Sequence, residues 1–275
     1  MDALAVHYDG NFGLVMRALG GEYTAEWRNV TQVLRDCEPH MTPEDLEAIR
    51  RALTRGCPVA MKWEEKAENK EVFIRRGNAP GVSAENPHVA KTCNKEERNH
   101  HTMCFSRWWC RTSAYARATP QMLKEEKNGK CRLIWDGSTK LFWWEETMNE
   151  HTPTENEPNI TFGLVILSFC TWLWNLRISF PEEEIWLAFI DISACFHYPR
   201  IVADLCGAFG YVIGPWFFAA NAMVFGSVAS VSSWEPFRRA IAALATACFF
   251  PTVARKEAQG APGPDSMGTT PKTRD

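Results

Sequence analysis

The sequence predicts an α+β protein with a mainly helical N-terminal extension. Apolar residues recur at helical spacing across residues 24–55, and the nearly continuous apolar run at residues 187–196 is typical of a strand buried on both faces. Of the 275 residues, 45% are hydrophobic and 23% are charged. This composition is sufficient for a core of one or two domains.

Composition divides the chain into three parts. Residues 1–105 combine helical patterns with a polar connection, and residues 106–250 are dense in aromatic and apolar side chains. Residues 251–275 are rich in Pro, Gly, Ser, Thr and charged residues. We expect a helical extension, a main core and a disordered tail, because the last part has too few apolar residues to offset the entropy of ordering.

Start and stop signals define the elements of the extension. Thr42 and Pro43 mark the start of a helix, and Gly56 marks its end. The connection that follows, residues 62–98, is polar and rich in turn formers. Within it, Glu71-Val72-Phe73-Ile74 predicts a short strand.

Two apolar stretches, residues 162–176 and 201–231, raise the alternative of a membrane-associated protein. The first is shorter than the roughly 18 to 20 residues that span a bilayer. Pro215 interrupts the second. We interpret the first as a buried helix and expect no stable membrane association.

Charge and the N-terminus limit the function classes. The net charge of -3 gives no global basic field, so any contact with nucleic acid would need a local patch. Residues 1–9 have neither the basic start nor the apolar segment of a secretory signal. We expect an intracellular protein, in the cytoplasm or nucleus, whose ten cysteines are reduced.

A turn at residues 127–129 leads into a predicted strand that places Lys130 and Arg132 on one face. Two such cations can clamp a triphosphate or backbone phosphates, because Arg offers a planar fork and Lys a point charge. The same pattern also fits a solvated edge strand.

Asp191 stands at the end of the apolar run at residues 187–196. A lone carboxylate in this place either caps a turn or helix or binds a metal ion. As a ligand it would suit Mg²⁺, which prefers oxygen donors and is often shared with substrate phosphates.

These segments occur in an order that resembles the reverse transcriptases of retroelements. They are a basic strand, a strand with a carboxylate followed by an aromatic residue, and a Phe-Gly loop before a helix. In chain order their residues are Lys130, Arg132 and Asp136, Asp191 and Phe196, and Phe225 and Gly226. The segment at residues 119–124 also resembles the preceding finger strand, and the resemblance covers about half of the chain.

The resemblance implies partial fingers and palm in residues 106–250 and RNA-directed DNA polymerase ancestry. It implies that Asp191, with the carbonyl of Ile192, binds Mg²⁺ for two-metal phosphoryl transfer. The implied partners are an RNA or DNA primer-template and a dNTP.

The resemblance also implies roles in nucleotide binding. Arg132 and Lys130 would neutralise the triphosphate, and Phe196 would exclude a ribose 2′-hydroxyl. Gly226, which has no Cβ, would let a nucleotide or template base approach the backbone.

The sequence departs from the family in two places. Ala229-Ser230-Val231 stands where an Asn-Ala-Pro-like turn is usual. No Tyr-x-Asp-Asp-like pair follows, and one carboxylate cannot hold two Mg²⁺ ions about 3.5 to 4 Å apart. We therefore expect a truncated or degenerate reverse transcriptase domain that does not polymerise as a single chain. The alternative is a non-catalytic nucleic-acid-binding or interaction protein.

Cysteines and histidines in residues 93–110 raise the hypothesis of a zinc site. They are Cys93, His100, His101, Cys104 and Cys110. Their spacing matches no standard zinc motif, so we interpret them as reduced thiols and surface histidines.

Tryptophans and arginines lie close to these residues in the sequence. They are Arg107, Trp108, Trp109 and Arg111. They could form a base-stacking patch, because aromatic faces accept any base, or the tryptophans could pack beneath the finger strands.

Overall fold

The structure is a computed structural model that describes residues 1–20, 30–59, 61, 67–127, 129, 131–140, 142, 147–152, 163–185, 192 and 195–249. Helices and small antiparallel sheets make up this part of the chain, which confirms the α+β class in general terms. The predicted tail, residues 251–275, lies outside the described residues.

Helices form most of the regular structure. In chain order they are α1 Asp2–His7, α2 Phe12–Ala18, α3 Val30–Cys37, α4 Pro43–Arg55, α5 Ala67–Arg76, α6 Pro87–Arg98, α7 Trp108–Thr112, α8 Gly163–Ser179 and α9 Val228–Phe249. Short 3₁₀ turns occur at Glu38–His40, Cys195–His197 and Ala203–Leu205. The helix start predicted at Pro43 is confirmed, and Gly56 ends α4 with a φ of +83°.

The strands are β1 Thr102–Ser106, β2 Gln121–Glu125, β3 Cys131–Trp135, β4 Tyr211–Ile213 and β5 Trp216–Ala220. They form a sheet of order β1-β5-β4 and a separate β2–β3 hairpin, and all pairings are antiparallel.

The three-stranded sheet carries part of the core. Phe105 of β1 is opposite Phe217 of β5. Phe12 of α2 packs on both, at ring-centroid distances of 4.7 and 5.2 Å. All three side chains are buried, so α2 is anchored on one face of this sheet.

The chain divides into two compact units, one of Met1–Arg28 and Arg50–Glu235 and the other of Asn29–Ile49 and Pro236–Asp275. Within the second unit, Arg239 Nη1 lies 3.1 Å from Asp45 Oδ1. The boundary predicted between residues 105 and 106 falls inside β1. The predicted division into 1–105 and 106–250 stays a prediction.

The β2–β3 hairpin forms where the sequence predicts the finger strands. Gln121 is opposite Trp135, and Lys124 is opposite Arg132. Because side chains alternate along a strand, Gln121 and Trp135 are buried whereas Lys124 and Arg132 are exposed on the outer face.

The strand predicted at Glu71-Val72-Phe73-Ile74 is wrong, because these residues lie within α5. Their burial follows helical spacing: Lys70, Phe73 and Ile74 are buried, and Lys70 Nζ donates to the carbonyl of Ser113. Of the side chains that suggest a strand, Phe73 and Ile74 pack on the inner face of the helix, whereas Val72 is 37% exposed.

The apolar run at residues 162–176 forms a helix, α8, but its predicted burial is wrong. Leu167, Trp174 and Ile178 are 63, 67 and 63% exposed. In the part of the chain that the structure describes, no helix is both long and apolar enough to cross a membrane.

Candidate functional site

Three segments predicted from the sequence meet at the β2–β3 hairpin. The amide of Trp135 donates to the carbonyl of Phe225 at 3.0 Å. The rings of Phe196 and Phe225 lie 5.6 Å apart. The hairpin, the aromatic residue after the apolar run and the Phe-Gly segment are therefore neighbours.

Glycine is required at position 226 for two reasons, its backbone angle and the close approach of Trp135. Its φ is +120°, and a Cβ built at this position would lie 2.0 Å from the carbonyl oxygen of Trp135. The group that approaches Gly226 here is the hairpin backbone. Its implied contact with a nucleotide or template base stays a prediction.

Arg132 is half of a surface ion pair. Its Nε lies 2.6 Å from Oε1 of Glu126, and its side chain is 57% exposed. Lys124, its cross-strand partner, is also exposed. A phosphate at this face would meet two cations and would compete with Glu126 for one of them.

Phe196 lies in the Cys195–His197 turn and is half-buried against Phe225. Ile192 is also half-buried. Asp191 and Lys130 lie outside the described residues, as does most of the strand predicted at residues 187–196. The Mg²⁺ ligation implied for Asp191 and Ile192 stays a prediction.

A second group of polar side chains lies next to Phe196. The ligand atoms of Glu96, His101 and His197 lie within 4.8 Å of one another. Oε2 of Glu96 is 2.8 Å from Nδ1 of His101 and 3.2 Å from Nδ1 of His197. The two imidazole rings meet edge to face at 4.8 Å. We call this group the Glu-His-His cluster.

The end of α6 places His101 over Glu96. His100 adopts a left-handed φ of +56°. The amides of His100 and His101 then donate back to the carbonyls of Glu97 and Glu96 at 2.9 and 2.8 Å. This is a Schellman cap, which turns the chain sharply, so that His101 is level with the last turn of the helix that carries Glu96.

His197 is brought in by the chain that follows it. The amide of Met223 donates to the carbonyl of Pro199, and the amide of Ile201 donates to the carbonyl of Asn221, both at 3.0 Å. The amide of Asn221 also donates to the carbonyl of His101 at 2.7 Å. Residues 221–223, which follow β5, thus hold both His101 and the chain just after His197 in place through backbone hydrogen bonds.

Glu96 is ionised although it is largely buried. Burial opposes ionisation, but the neighbouring imidazoles of His101 and His197 outweigh it and lower the pKa of Glu96 to about 2. The exposed fractions are 15% for Glu96, 10% for His101 and 23% for His197. A carboxylate in such a place requires positive charge or hydrogen-bond donors around it.

A small cavity of about 60 Å³ opens beside the cluster. Glu96 and His197 line it together with Gln121, Tyr211 and Phe225. The cavity therefore lies between the Glu-His-His cluster and the Phe-Gly segment that packs on the hairpin.

The thiols near the cluster are protonated. Burial raises the pKa of Cys93 to about 11 and that of Cys104 to about 12. Cys110 is buried in α7, and Cys93 and Cys104 are free thiols. His100 is an exposed histidine, whereas the prediction of a surface position is wrong for His101.

The two neighbouring tryptophans have different environments. Trp108 is 57% exposed and Trp109 is 6% exposed. Trp109 packs in the core, and Trp108 presents its ring to solvent, so the base-stacking patch stays a prediction.

Sequence reasoning missed Glu96 and His197. Glu96 and His101 are close in the sequence, separated by one helix cap, so a local pattern could have suggested that they meet. His197 follows Phe196 directly, but only the tertiary pairing of residues 199–201 with residues 221–223 places it near Glu96.

Comparisons with protein-family models, with curated proteins and with solved structures found no match to this chain.

Proposed function

We propose that the chain is a reverse-transcriptase-like domain of a retroelement that binds primer-template nucleic acid on the outer face of the β2–β3 hairpin. The supporting observation is that Phe225 is hydrogen-bonded to the hairpin at Trp135 and that the ring of Phe196 lies against Phe225. Their proximity is the arrangement expected of parts of one nucleotide-binding surface.

The outer face of the hairpin has the chemistry that phosphates require. Lys124 and Arg132 lie side by side on it, and Met122 is 39% exposed next to them. The charges attract the phosphate backbone, and the apolar surface between them accepts a sugar or base. With a net charge of -3 for the whole chain, attraction depends on this local patch.

Filter binding to a primer-template at two salt concentrations tests the proposal. We expect binding that weakens steeply with salt, because it releases counterions from the phosphates. Replacing both Lys124 and Arg132 with Ala removes two phosphate contacts. The slope of log affinity against log salt should then fall by about 2.

A matched control removes the same charges elsewhere. Arg75 and Lys91 are exposed on α5 and α6, and Arg75 forms an ion pair with Glu71. The Arg75→Ala/Lys91→Ala variant should keep the salt slope of the unaltered protein. An equal loss in both double variants, or no binding at low salt, would remove the proposal.

Catalysis has a separate test. Primer extension with Mg²⁺ is measured beside the Asp191→Ala variant. For this chain alone we expect binding without extension, because Asp191 is the one carboxylate that the resemblance assigns to metal. Extension that the substitution abolishes would instead show a working polymerase.

A further inference from the structure

We propose that Glu96, His101 and His197 form a three-ligand site for a divalent transition-metal ion, with Zn²⁺ as the best-matched ion. The site is separate from the Mg²⁺ role that the resemblance implies for Asp191. Its basis is the convergence of two imidazoles and one carboxylate from α6, the start of β1 and the Cys195–His197 turn.

The hydrogen bonding of the cluster is incomplete in the part of the chain that the structure describes. Nδ1 of His101 forms a hydrogen bond with Glu96, at 2.8 Å. Nδ1 of His197 is buried and, among the described residues, has no hydrogen-bond partner, although Oε2 of Glu96 lies 3.2 Å away. In the same part of the chain, the ion-pair partners of Glu96 are these two histidines. A metal ion would satisfy all three side chains at once.

The separations suit a tetrahedral ion. Bonds of about 2.1 Å at tetrahedral angles place ligand atoms roughly 3.4 Å apart. The shortest separation here is 2.8 Å, and all ligand atoms lie within 4.8 Å. Small rotations of the imidazole rings would bring the nitrogens to bonding distance, without a change in the backbone that holds them.

The ligand types decide between metals. Mg²⁺ and Ca²⁺ select oxygen donors, whereas imidazole nitrogen suits Zn²⁺ and its neighbours in the first transition row. Among the described residues, the side chains that converge here supply two nitrogens and one oxygen. Two His and one Glu are a known ligand set for zinc sites that keep an open position.

The cavity supplies the space for a fourth ligand. Its volume of about 60 Å³ has room for a water molecule, whose share of liquid volume is about 30 Å³. Gln121 and Tyr211 line it and offer polar groups to a bound water or small anion. With Glu96, His101 and His197 as ligands, the site would be of the open, three-ligand kind, and this cavity would have room for the exchangeable ligand.

Titration of the metal-free full chain with Zn²⁺, followed by calorimetry, tests the proposal. We expect one ion per chain and a higher Tm in its presence. Glu96→Gln and His197→Ala should each weaken binding by at least about 100-fold. Co²⁺ should give the intense visible absorption of a four-coordinate ion in the unaltered protein, and this readout does not depend on whether a variant folds.

His88→Ala is the matched control. His88 is exposed on α6, the helix that carries Glu96, and lies outside the cluster. This variant should bind Zn²⁺ as the unaltered protein does. The proposal is overturned if His197→Ala binds Zn²⁺ with unchanged affinity, or if the unaltered protein shows neither a Tm shift nor the four-coordinate Co²⁺ spectrum.

Discussion

The amide of Trp135 in β3 donates to the carbonyl of Phe225, and the carbonyl of Trp135 lies where a Cβ of Gly226 would be. This contact joins the hairpin to a segment distant in the chain. Gly226 is therefore needed for the packing of the fold, independently of any ligand that it contacts.

Gly226→Ala should lower the free energy of unfolding by about 2 to 4 kcal/mol. Alanine would have to adopt a φ of +120°, and its Cβ would lie 2.0 Å from the carbonyl oxygen of Trp135. Urea denaturation gives the free energy. Gly81→Ala is the control, because Gly81 has a φ of +86° but no described atom within 4 Å of its added Cβ. It should lose about 1 kcal/mol, and equal losses would contradict the contact.

Glu126→Gln should strengthen binding to a primer-template by up to about fivefold at low salt. The substitution releases Arg132 from its 2.6 Å ion pair, so that the guanidinium is free for phosphate. Asp204→Asn removes the same charge from another surface ion pair, with Arg17, and should have a smaller effect. If both variants gain the same affinity in filter binding, the change in net charge explains the gain and the release of Arg132 does not.

His100→Gly should stabilise the protein by about 1 kcal/mol. His100 holds a φ of +56° at the cap of α6, and glycine adopts this conformation without steric cost. Asn99→Gly is the control: Asn99 has a φ of -84°, so glycine there adds flexibility to the unfolded chain without relieving strain. The idea fails if both variants lose stability in chemical denaturation.

Trp174→Lys should change the free energy of unfolding by less than about 0.5 kcal/mol, because Trp174 is 67% exposed on α8. It should also lower the binding of a hydrophobic dye. Phe209→Ala is the contrasting variant, since Phe209 is fully buried and stacks on Trp135 at 5.3 Å. It should lose about 3 to 5 kcal/mol. Similar losses in the two variants would mean that α8 packs in a core.

Local signals in the sequence predict the elements that are built locally. The strand that carries Arg132 and the stop at Gly56 both depend on a few neighbouring residues, and both are found. The run at Val72-Phe73-Ile74 misleads because a short apolar run fits either a strand or a helix, and in the helix Phe73 and Ile74 are buried whereas Val72 is exposed. Tertiary packing selects the helix.

The Glu-His-His cluster could be predicted only in part. Glu96 and His101 are close in sequence and meet through a helix cap. His197 is brought to them by the backbone pairing of residues 199–201 with residues 221–223, which no hydrophobic period or sequence motif predicts. For α8, the apolar run predicts a helix correctly, but hydrophobicity alone does not specify which partner would cover it.

The central strand β5 pairs with β4, its near neighbour in the chain, and with β1, which lies far ahead of it. During synthesis β1 leaves the ribosome long before β5 exists. Met103 and Phe105, buried in the finished sheet, have no strand to cover them in that interval. Pairing of strands so distant in the chain is slow, so we expect the nascent chain to be most prone to aggregation between the emergence of these two strands.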